Sequence, residues 1–332
     1  MYVEGTALID LATNSCSKPQ QPSTVLVVPC ASVSGTSSGT KLERFRESAD
    51  VTSFVSDEND HRDASLFRKP IGARRIGDAG NILSTRYGGA MEIVTSSAHP
   101  ELQERAGEAF RVKWPEFIFH DPVSREFIGR AGELFPQFDV LLRDGDSALA
   151  NAWAVPFRWD STAADLPEGY DGAPIRAVQG HDAGVVPSTL CVMAAAVANG
   201  VAARGLAAAV LRGLRERAGE AGLEHVIVPV RPTLKHRYPL TPMVEYARWR
   251  RNDNLSIDPW IRTHERMGAA IIGVAHRSMV IDGSVAEWEE WSGMVFPVLG
   301  DYVVPEALGL VRIDRALDRG TYVEENLWMQ HV

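Results

Sequence analysis

The sequence predicts an α/β (α+β) fold, in which helices pack against a central sheet. A strand, a glycine turn, an amphipathic helix and a second strand follow one another over residues 189–230. Strand-like runs at 140–143 and 148–157 flank an Asp-Gly-Asp turn, which is a strong hairpin signal. Helical periodicity and short apolar runs alternate from about residue 90 onwards. Such alternation is typical of a sheet covered by helices.

The first 88 residues differ in composition from the rest of the chain. Residues 14–40 are dense in Ser, Thr, Pro, Gln and Gly, and residues 48–63 are rich in Asp, Glu and Ser. Segments of this kind bury too little apolar surface to offset the entropy lost on ordering. We therefore expect residues 1–88 to form a disordered or poorly ordered extension and residues 89–332 to form the folded domain.

The domain begins with a strand at 91–95, followed by helices at 99–110 and 124–135. Pro136 ends the second helix, because proline cannot continue the helical hydrogen bonding. After the hairpin, residues 161–187 are rich in Pro, Gly and Asp and predict a long polar loop. Such a loop serves as a lid or substrate-binding element, or is a plain surface excursion.

The strand, turn, helix and strand of residues 189–230 carry the main functional signal. Gly205 stands at the first turn of the helix, and Gly222 supplies its stop signal. A glycine there lets a ligand approach the unpaired N–H groups of the first turn, which attract phosphate. The alternative interpretation of the same pattern is a tight contact between the helix and the sheet, with no ligand bound. The apolar face of the helix consists of Leu206, Val210, Leu211, Leu214 and Ala218.

The C-terminal third continues the alternation of helices and strands. Asp258 is the expected N-cap of a helix at 259–267 that has Pro259 at its first position. A strand at 269–275, a helix at 285–292 and a final strand at 321–330 follow.

Composition narrows the possible partners and compartment. A net charge of −9 with a pI of about 5.5 argues against a nucleic-acid binder or a binder of anionic membranes. Cys16, Cys30 and Cys191 show neither disulfide-frame nor zinc-site spacing, so no metal is expected. No apolar run reaches membrane-spanning length, and Glu4 and Asp10 stand where a signal peptide is basic. We expect a cytoplasmic protein.

Two motifs resemble the GNAT acyltransferase superfamily. The superfamily has R/Q-x-x-G-x-G/A where its pyrophosphate loop enters a helix, and Gly205 and Ala207 fill the last two defined places. The leading basic residue is replaced by Ala202, with Arg204 two positions later. Near the end of the helix at 259–267, Glu265, Arg266 and Gly268 match the family's Tyr-E-K-x-G pattern. The order of elements over residues 90–332 is also similar.

The resemblance implies a mixed, mostly antiparallel sheet with a splayed strand at an acyl-CoA cleft. It further implies that acetyl-CoA or another acyl-CoA is the co-substrate and that the amine of a small molecule attacks the thioester directly. The pantetheine arm would lie along the strand ahead of the loop. The cofactor-binding residues implied are Ala196, Val197, Ala198, Arg204, Gly205, Leu206 and Ala207.

Candidate catalytic groups are histidines. His264 occupies the place of the family's tyrosine acid, although a histidine on a helix is also commonly a hydrogen-bonded structural residue. His181 and His236 are candidates for the base that deprotonates the amine, together with Asp182 and Tyr238. The alternative for each of these four residues is that it is an ordinary surface residue without a catalytic role.

Two further segments are each compatible with more than one binding partner. The basic stretch at 231–251 suits CoA phosphates, an acidic acyl carrier protein, or internal salt bridges. Trp288 and Trp291, among three glutamates, suit a cationic acceptor or a packed aromatic pair. The first hypothesis is an acyl-CoA-dependent N-acyltransferase. The alternatives are acyl transfer from a carrier protein in a biosynthetic pathway and a non-catalytic acyl-CoA-binding protein.

Overall fold

A computed structural model describes residues 83–84, 90–111, 114–198 and 205–331 of the chain. Most of the expected N-terminal extension, residues 1–88, lies outside this description, except for a short strand at Leu83–Ser84 that pairs with the next strand. The division at residue 88 therefore stays a prediction.

The described part of the chain contains ten strands and seven α-helices. The strands are β1 (Leu83–Ser84), β2 (Ala90–Thr95), β3 (Asp139–Asp144), β4 (Ser147–Phe157), β5 (Thr189–Val197), β6 (His225–Val230), β7 (Ala269–Gly283), β8 (Gly300–Val303), β9 (Leu310–Asp314) and β10 (Arg319–His331). The helices are α1 (Pro100–Arg111), α2 (Gly129–Leu134), α3 (Gly169–Asp182), α4 (Leu206–Glu220), α5 (Met243–Tyr246), α6 (Pro259–Arg266) and α7 (Val285–Ser292).

The described strands form a mixed sheet in the order β1-β2-β3-β4-β5-β6-β10-β9-β8, and β7 pairs with β10. The neighbouring strands β5 and β6 are parallel, and every other described pair is antiparallel. Strand β10 pairs with β7 along its length, with β6 through residues 327–331 and with β9 through residues 319–322. The expected mixed, mostly antiparallel sheet flanked by helices is confirmed.

Local signals placed many of these elements correctly. The Asp-Gly-Asp turn joins β3 to β4, with Gly145 at a φ of 55° as the hairpin requires. Asp258 caps α6, because its Oδ1 accepts hydrogen bonds from the N–H groups of Trp260 (2.9 Å) and Ile261 (3.2 Å). Helix α4 buries its apolar stripe against β3, β4 and β5.

The expectation of a long loop at residues 161–187 is wrong in its second half, where α3 forms. Ala173, Ala177 and Val178 are buried in the core, so α3 packs against β4, β7 and β10 despite its glycines and Pro174. This tertiary burial outweighs the local preference of Gly and Pro for loops. Gly169 starts the helix at a φ of 69°, in direct contact with Ser278 of β7.

The C-terminal region also holds more strand than the pattern predicts. Strand β7 runs on to Gly283, and β8 and β9 form between α7 and β10. Trp288 is buried beside Phe117 and Tyr322 in a second apolar cluster, which favours the packed aromatic pair over a cation site. Among the described helices, none combines the length and apolar character needed to cross a bilayer.

Candidate functional site

A cleft opens between the two parallel strands in the middle of the sheet. Strands β5 and β6 pair through only three residue pairs, from Thr189 with His225 to Cys191 with Ile227. Beyond them, β5 continues along β4 as far as Val197, whereas β6 pairs with β10 as far as Val230. One edge of β5 at residues 192–197 therefore lacks a partner strand among the described residues. We call this gap the β5–β6 cleft.

A β-bulge explains why the two strands part at this point. Trp153 of β4 faces Ala194, and the next residue, Ala154, faces Val192, so Met193 is an extra residue in β5. A bulge bends its strand and increases the local twist. The bend follows immediately after the last β5–β6 pair, so it directs β5 away from β6 and leaves backbone N–H and C=O groups facing the cleft.

The start of α4 supplies a second feature of the site. Gly205, at the N-cap, has a φ of 91°, a conformation that favours glycine, and no side chain of a described residue caps the helix. A Cβ added at Gly205 would meet no atom of the described residues within 4 Å, so none of these residues blocks a ligand from the backbone. The first N–H groups of a helix lack internal acceptors, and together with the helix dipole they attract anions. The geometry fits a phosphate site.

The expected cofactor-binding residues divide into two groups around this site. Ala196 and Val197 end the unpaired edge of β5, and Ala198 follows with its N–H donated to Leu149 O at 2.9 Å. Leu206 and Ala207 form the first turn of α4 with Gly205. Arg204 and Ala202 lie outside the described residues. The cofactor assignment itself stays a prediction.

His264 lies in α6, fully buried beside the paired end of β6. Its Nδ1 is 2.9 Å from Nε2 of His331, which pairs with Val226. Burial, reinforced by His331, lowers the pKa of His264 to about 3, so the imidazole is neutral at pH 7. Its Nε2 has no hydrogen-bond partner among the described residues. These contacts fit the structural interpretation, and a catalytic role stays a prediction.

The structure does not bring His181 and His236 together. His181 ends α3 and is half-exposed, with its ring against Phe135 (5.8 Å between centroids), near the C-terminal end of α4 rather than its start. His236 lies in a helical turn beyond β6, with Nδ1 3.0 Å from Thr233 O and 3.6 Å from Glu306. Of the two, His236 follows β6 at the end where β5 and β6 part, whereas His181 precedes β5 at the opposite end.

The basic stretch at 231–251 is largely engaged within the protein. Arg231 pairs with Glu324, and the buried Nζ of Lys235 donates to the carbonyl oxygens of Tyr238 and Leu308. Arg250 and Arg251 are 3.6 Å and 3.5 Å from Glu265 and Asp253. For these four cations, internal pairing is the interpretation that the structure supports.

Tyr170, which the sequence pattern did not indicate as a site residue, lies next to the bulge. Its ring packs edge-on against Trp153 (6.4 Å between centroids), the residue that faces Ala194. Its N–H donates to Ser278 Oγ at 2.8 Å, which ties the start of α3 to β7. The spacing of Ala173, Ala177 and Val178 was the available signal for the helix that carries Tyr170.

Two buried carboxyl groups lie beside Tyr170. Asp171, 8% exposed, accepts a hydrogen bond from Val280 N at 3.2 Å, and Asp121, fully buried, accepts from Val123 N and Ser124. Burial and the neighbouring Asp121 raise the pKa of Asp171 to about 8. Asp171 is therefore protonated at pH 7, and its carboxyl proton is available to Asp121.

This raised pKa makes stability depend on pH. The unfolded carboxyl loses its proton near pH 4, whereas the folded one keeps it until about pH 8. Stability therefore falls as the pH rises through that interval, by at most about 1.4 kcal/mol per pH unit. We expect Asp171→Asn, which imitates the protonated acid, to raise the melting temperature at pH 8.5 and to have little effect at pH 5.

Thermal unfolding at the two pH values measures this difference. Asp301→Asn, which alters an exposed carboxylate beside Arg312, is the control and should show no pH-dependent gain. An equal shift for Asp171→Asn at both pH values would contradict the assignment.

A hydrogen-bond chain links Tyr170 to the end of β6. Ser278 Oγ accepts from the Tyr170 N–H and donates to Asn326 Oδ1 (2.5 Å), and Asn326 Nδ2 donates to Glu324 (2.9 Å). Arg231 Nε donates to both Glu324 oxygens at 2.9 and 3.1 Å. Glu324 is fully buried, so the chain fixes the start of α3 relative to β7 and β10.

Comparison with known proteins gives a sequence relative and several similar structures. No protein family model matches the chain. An arginine N-acetyltransferase, avaD of Aspergillus versicolor, is 29% identical over 271 residues, which are 72% of this chain and 93% of that protein. The loading GNATL domain of CurA from Lyngbya majuscula matches 73% of this chain and 96% of its own, with 14% identity and a TM-score of 0.47. The GNAT-like decarboxylase GphF, solved with isobutyryl-CoA, matches 73% and 98%, with 14% identity and a TM-score of 0.43.

The chain is similar to the GNAT superfamily in its sheet order, in the β5–β6 cleft beside the start of α4, and in its sequence relative. The relative supports an acyltransferase of the N-acetyltransferase type.

Proposed function

We propose that the protein transfers an acetyl or other short acyl group from acyl-CoA to the amine of a small molecule. The observation that carries this proposal is the parting of β5 from β6 at the Met193 bulge, beside an uncapped helix start at Gly205. A ligand with an anionic diphosphate and an extended, amide-containing arm suits both features.

Each part of the donor has a place in this arrangement. The diphosphate would accept hydrogen bonds from the first N–H groups of α4, and the arm would lie along the unpaired edge of β5 at 192–197. Backbone N–H groups at the bulge would polarise the thioester carbonyl, because donors aimed at a developing oxyanion stabilise the transition state. The amine then attacks the carbonyl carbon directly.

The acceptor is proposed from the relative, which acetylates arginine by its name. Arginine carries positive charge on its guanidinium group at neutral pH. We therefore propose a cationic amino compound, with L-arginine as the first probe.

Calorimetry with CoA, together with thiol release from acetyl-CoA in the presence of L-arginine, agmatine and simple amines, tests the proposal. Binding of CoA with acceptor-dependent thiol release is the expected result. Binding without release for any acceptor would favour a non-catalytic acyl-CoA-binding protein. Release only from an acylated carrier protein would favour the biosynthetic alternative, and neither binding nor release would overturn the proposal.

A further inference from the structure

Tyr170 spans the two halves of the sheet on either side of the β5–β6 cleft. Its N–H is held by Ser278 of β7, in the half formed by β6, β10 and β7. Its ring contacts Trp153 of β4, in the half formed by β4 and β5. Because Trp153 pairs with Ala194 at the bulge, this contact puts the Tyr170 ring close to the part of β5 along which the arm of the proposed donor would lie.

The hydroxyl of Tyr170 makes no hydrogen bond to any described residue. A tyrosine hydroxyl in a packed environment normally has a protein partner. Three buried polar residues nearby do have partners: Ser278, Asn326 and Glu324 bond to one another and to Arg231. The hydroxyl therefore keeps both its proton and its lone pairs available to a ligand.

We propose that the Tyr170 hydroxyl relays a proton from the attacking amine to the leaving sulfur, a role that rests on the acyl transfer proposed above. As the C–N bond forms and the C–S bond breaks, the sulfur leaves with the bonding pair and takes the phenol proton. The phenol oxygen takes a proton from the nitrogen, which becomes a neutral amide. The products are the amide and the free thiol, and Tyr170 is again a neutral phenol.

The surroundings of Tyr170 favour a relay over a separate acid step. Burial, and then the neighbouring acidic groups, with Asp121 the first of them, raise the pKa of Tyr170 well above its usual value. A free phenolate is therefore costly at this position. A relay in which one proton arrives as the other leaves keeps the phenol neutral throughout.

The same contacts hold the phenol in position. Gly169 at a φ of 69° sets the backbone onto Ser278, whose hydroxyl is in turn fixed by Asn326 at 2.5 Å. Ser278 is thus a positioning residue that acts through Tyr170. Removal of the Ser278 hydroxyl should lower kcat only when the Tyr170 hydroxyl is present.

The first test compares Tyr170→Phe with the wild type in thiol release from acetyl-CoA, with whichever acceptor supports turnover. Phenylalanine keeps the ring contact with Trp153 and removes only the hydroxyl. We expect kcat to fall about 100-fold, the usual scale for one proton-transfer group, with KM for acetyl-CoA and the melting temperature unchanged. Tyr302 lies in β8, and its hydroxyl donates to Val298 O. Tyr302→Phe, which removes that hydroxyl, is the control and should keep full activity.

Two readouts separate the relay from a structural role. The dependence of wild-type kcat on the fraction of D2O should be curved, because two protons move together, and it should become linear in Tyr170→Phe. Ser278→Ala should lower kcat in the wild type but not further in Tyr170→Phe. Unchanged kcat in Tyr170→Phe, or additive losses in the double variant, would overturn the relay.

Failure of the relay and failure of the proposed function are distinguishable. If the wild type releases thiol and Tyr170→Phe does so equally well, the relay is wrong and the acyl transfer stands. If the wild type neither binds CoA nor releases thiol, the proposed function is wrong and the relay falls with it.

Discussion

Replacing Ala207 with glutamate is expected to weaken CoA binding at least tenfold without lowering the melting temperature. Ala207 is a half-buried residue of the first turn of α4, two positions beyond Gly205. A carboxylate there interacts favourably with the helix N-terminus, by about 0.3–1 kcal/mol, and therefore does not destabilise the helix. The same carboxylate repels a diphosphate, at about 4 kcal/mol for two unit charges 4 Å apart near a protein surface.

Ala207→Gln is the matched control for this experiment, since it adds the same volume without charge. Calorimetry should find its CoA affinity much closer to that of the wild type than the affinity of Ala207→Glu. If the two variants bind CoA equally well, the diphosphate does not lie at the start of α4. Gly205 is a poorer site for the test, because at a φ of 91° any side chain strains the backbone and perturbs the helix start itself.

Replacing Arg231 with methionine is expected to destabilise the protein by about 3–5 kcal/mol, the usual cost of leaving a buried charge without its partner. Glu324 is fully buried and accepts two hydrogen bonds from Arg231 Nε. Tyr322 and Asn326 also donate to Glu324, but neither carries a charge. Urea unfolding gives the free-energy difference.

Arg312→Met is the control for the loss of an ion pair, because Arg312 and Asp301 are both exposed and 3.2 Å apart. It should cost about 0–1 kcal/mol. Adding Glu324→Gln to Arg231→Met should recover part of the lost stability, since the buried carboxylate is then neutral. Equal effects of Arg231→Met and Arg312→Met would show that the buried pair has no special role.

The site combines features that local sequence predicts with others that it does not. The glycine turn before α4, the capping of α6 by Asp258 and the β3–β4 hairpin each depend on a few neighbouring residues, and all three are found. The resemblance predicts that His264 is the catalytic acid, and the structure places this residue in a buried pair with His331. A motif match fixes a position along a helix, but burial and partners come from the packing around it.

Tyr170 and Asp171 illustrate what the local pattern could not give. Their segment is rich in glycine and carries Pro174, so it predicts a loop, and only the burial of α3 against the sheet makes it helical. The bond from Tyr170 to Ser278 joins residues 108 positions apart. The Asp171 interaction with Asp121 is likewise a product of packing, so no local pattern predicts its raised pKa.

The amino-acid sequence by itself determined where most helices and strands of the domain lie, and that an exposed helix start follows Gly205. Those features arise from side-chain periodicity, capping and turn chemistry within about one turn or one hairpin. Only the tertiary structure decided that β5 leaves β6 after Cys191 and that Tyr170 connects Ser278 of β7 with Trp153 of β4. Both depend on contacts between distant segments, because the register of β4 against β5 creates the bulge and the docking of α3 on β7 places the phenol.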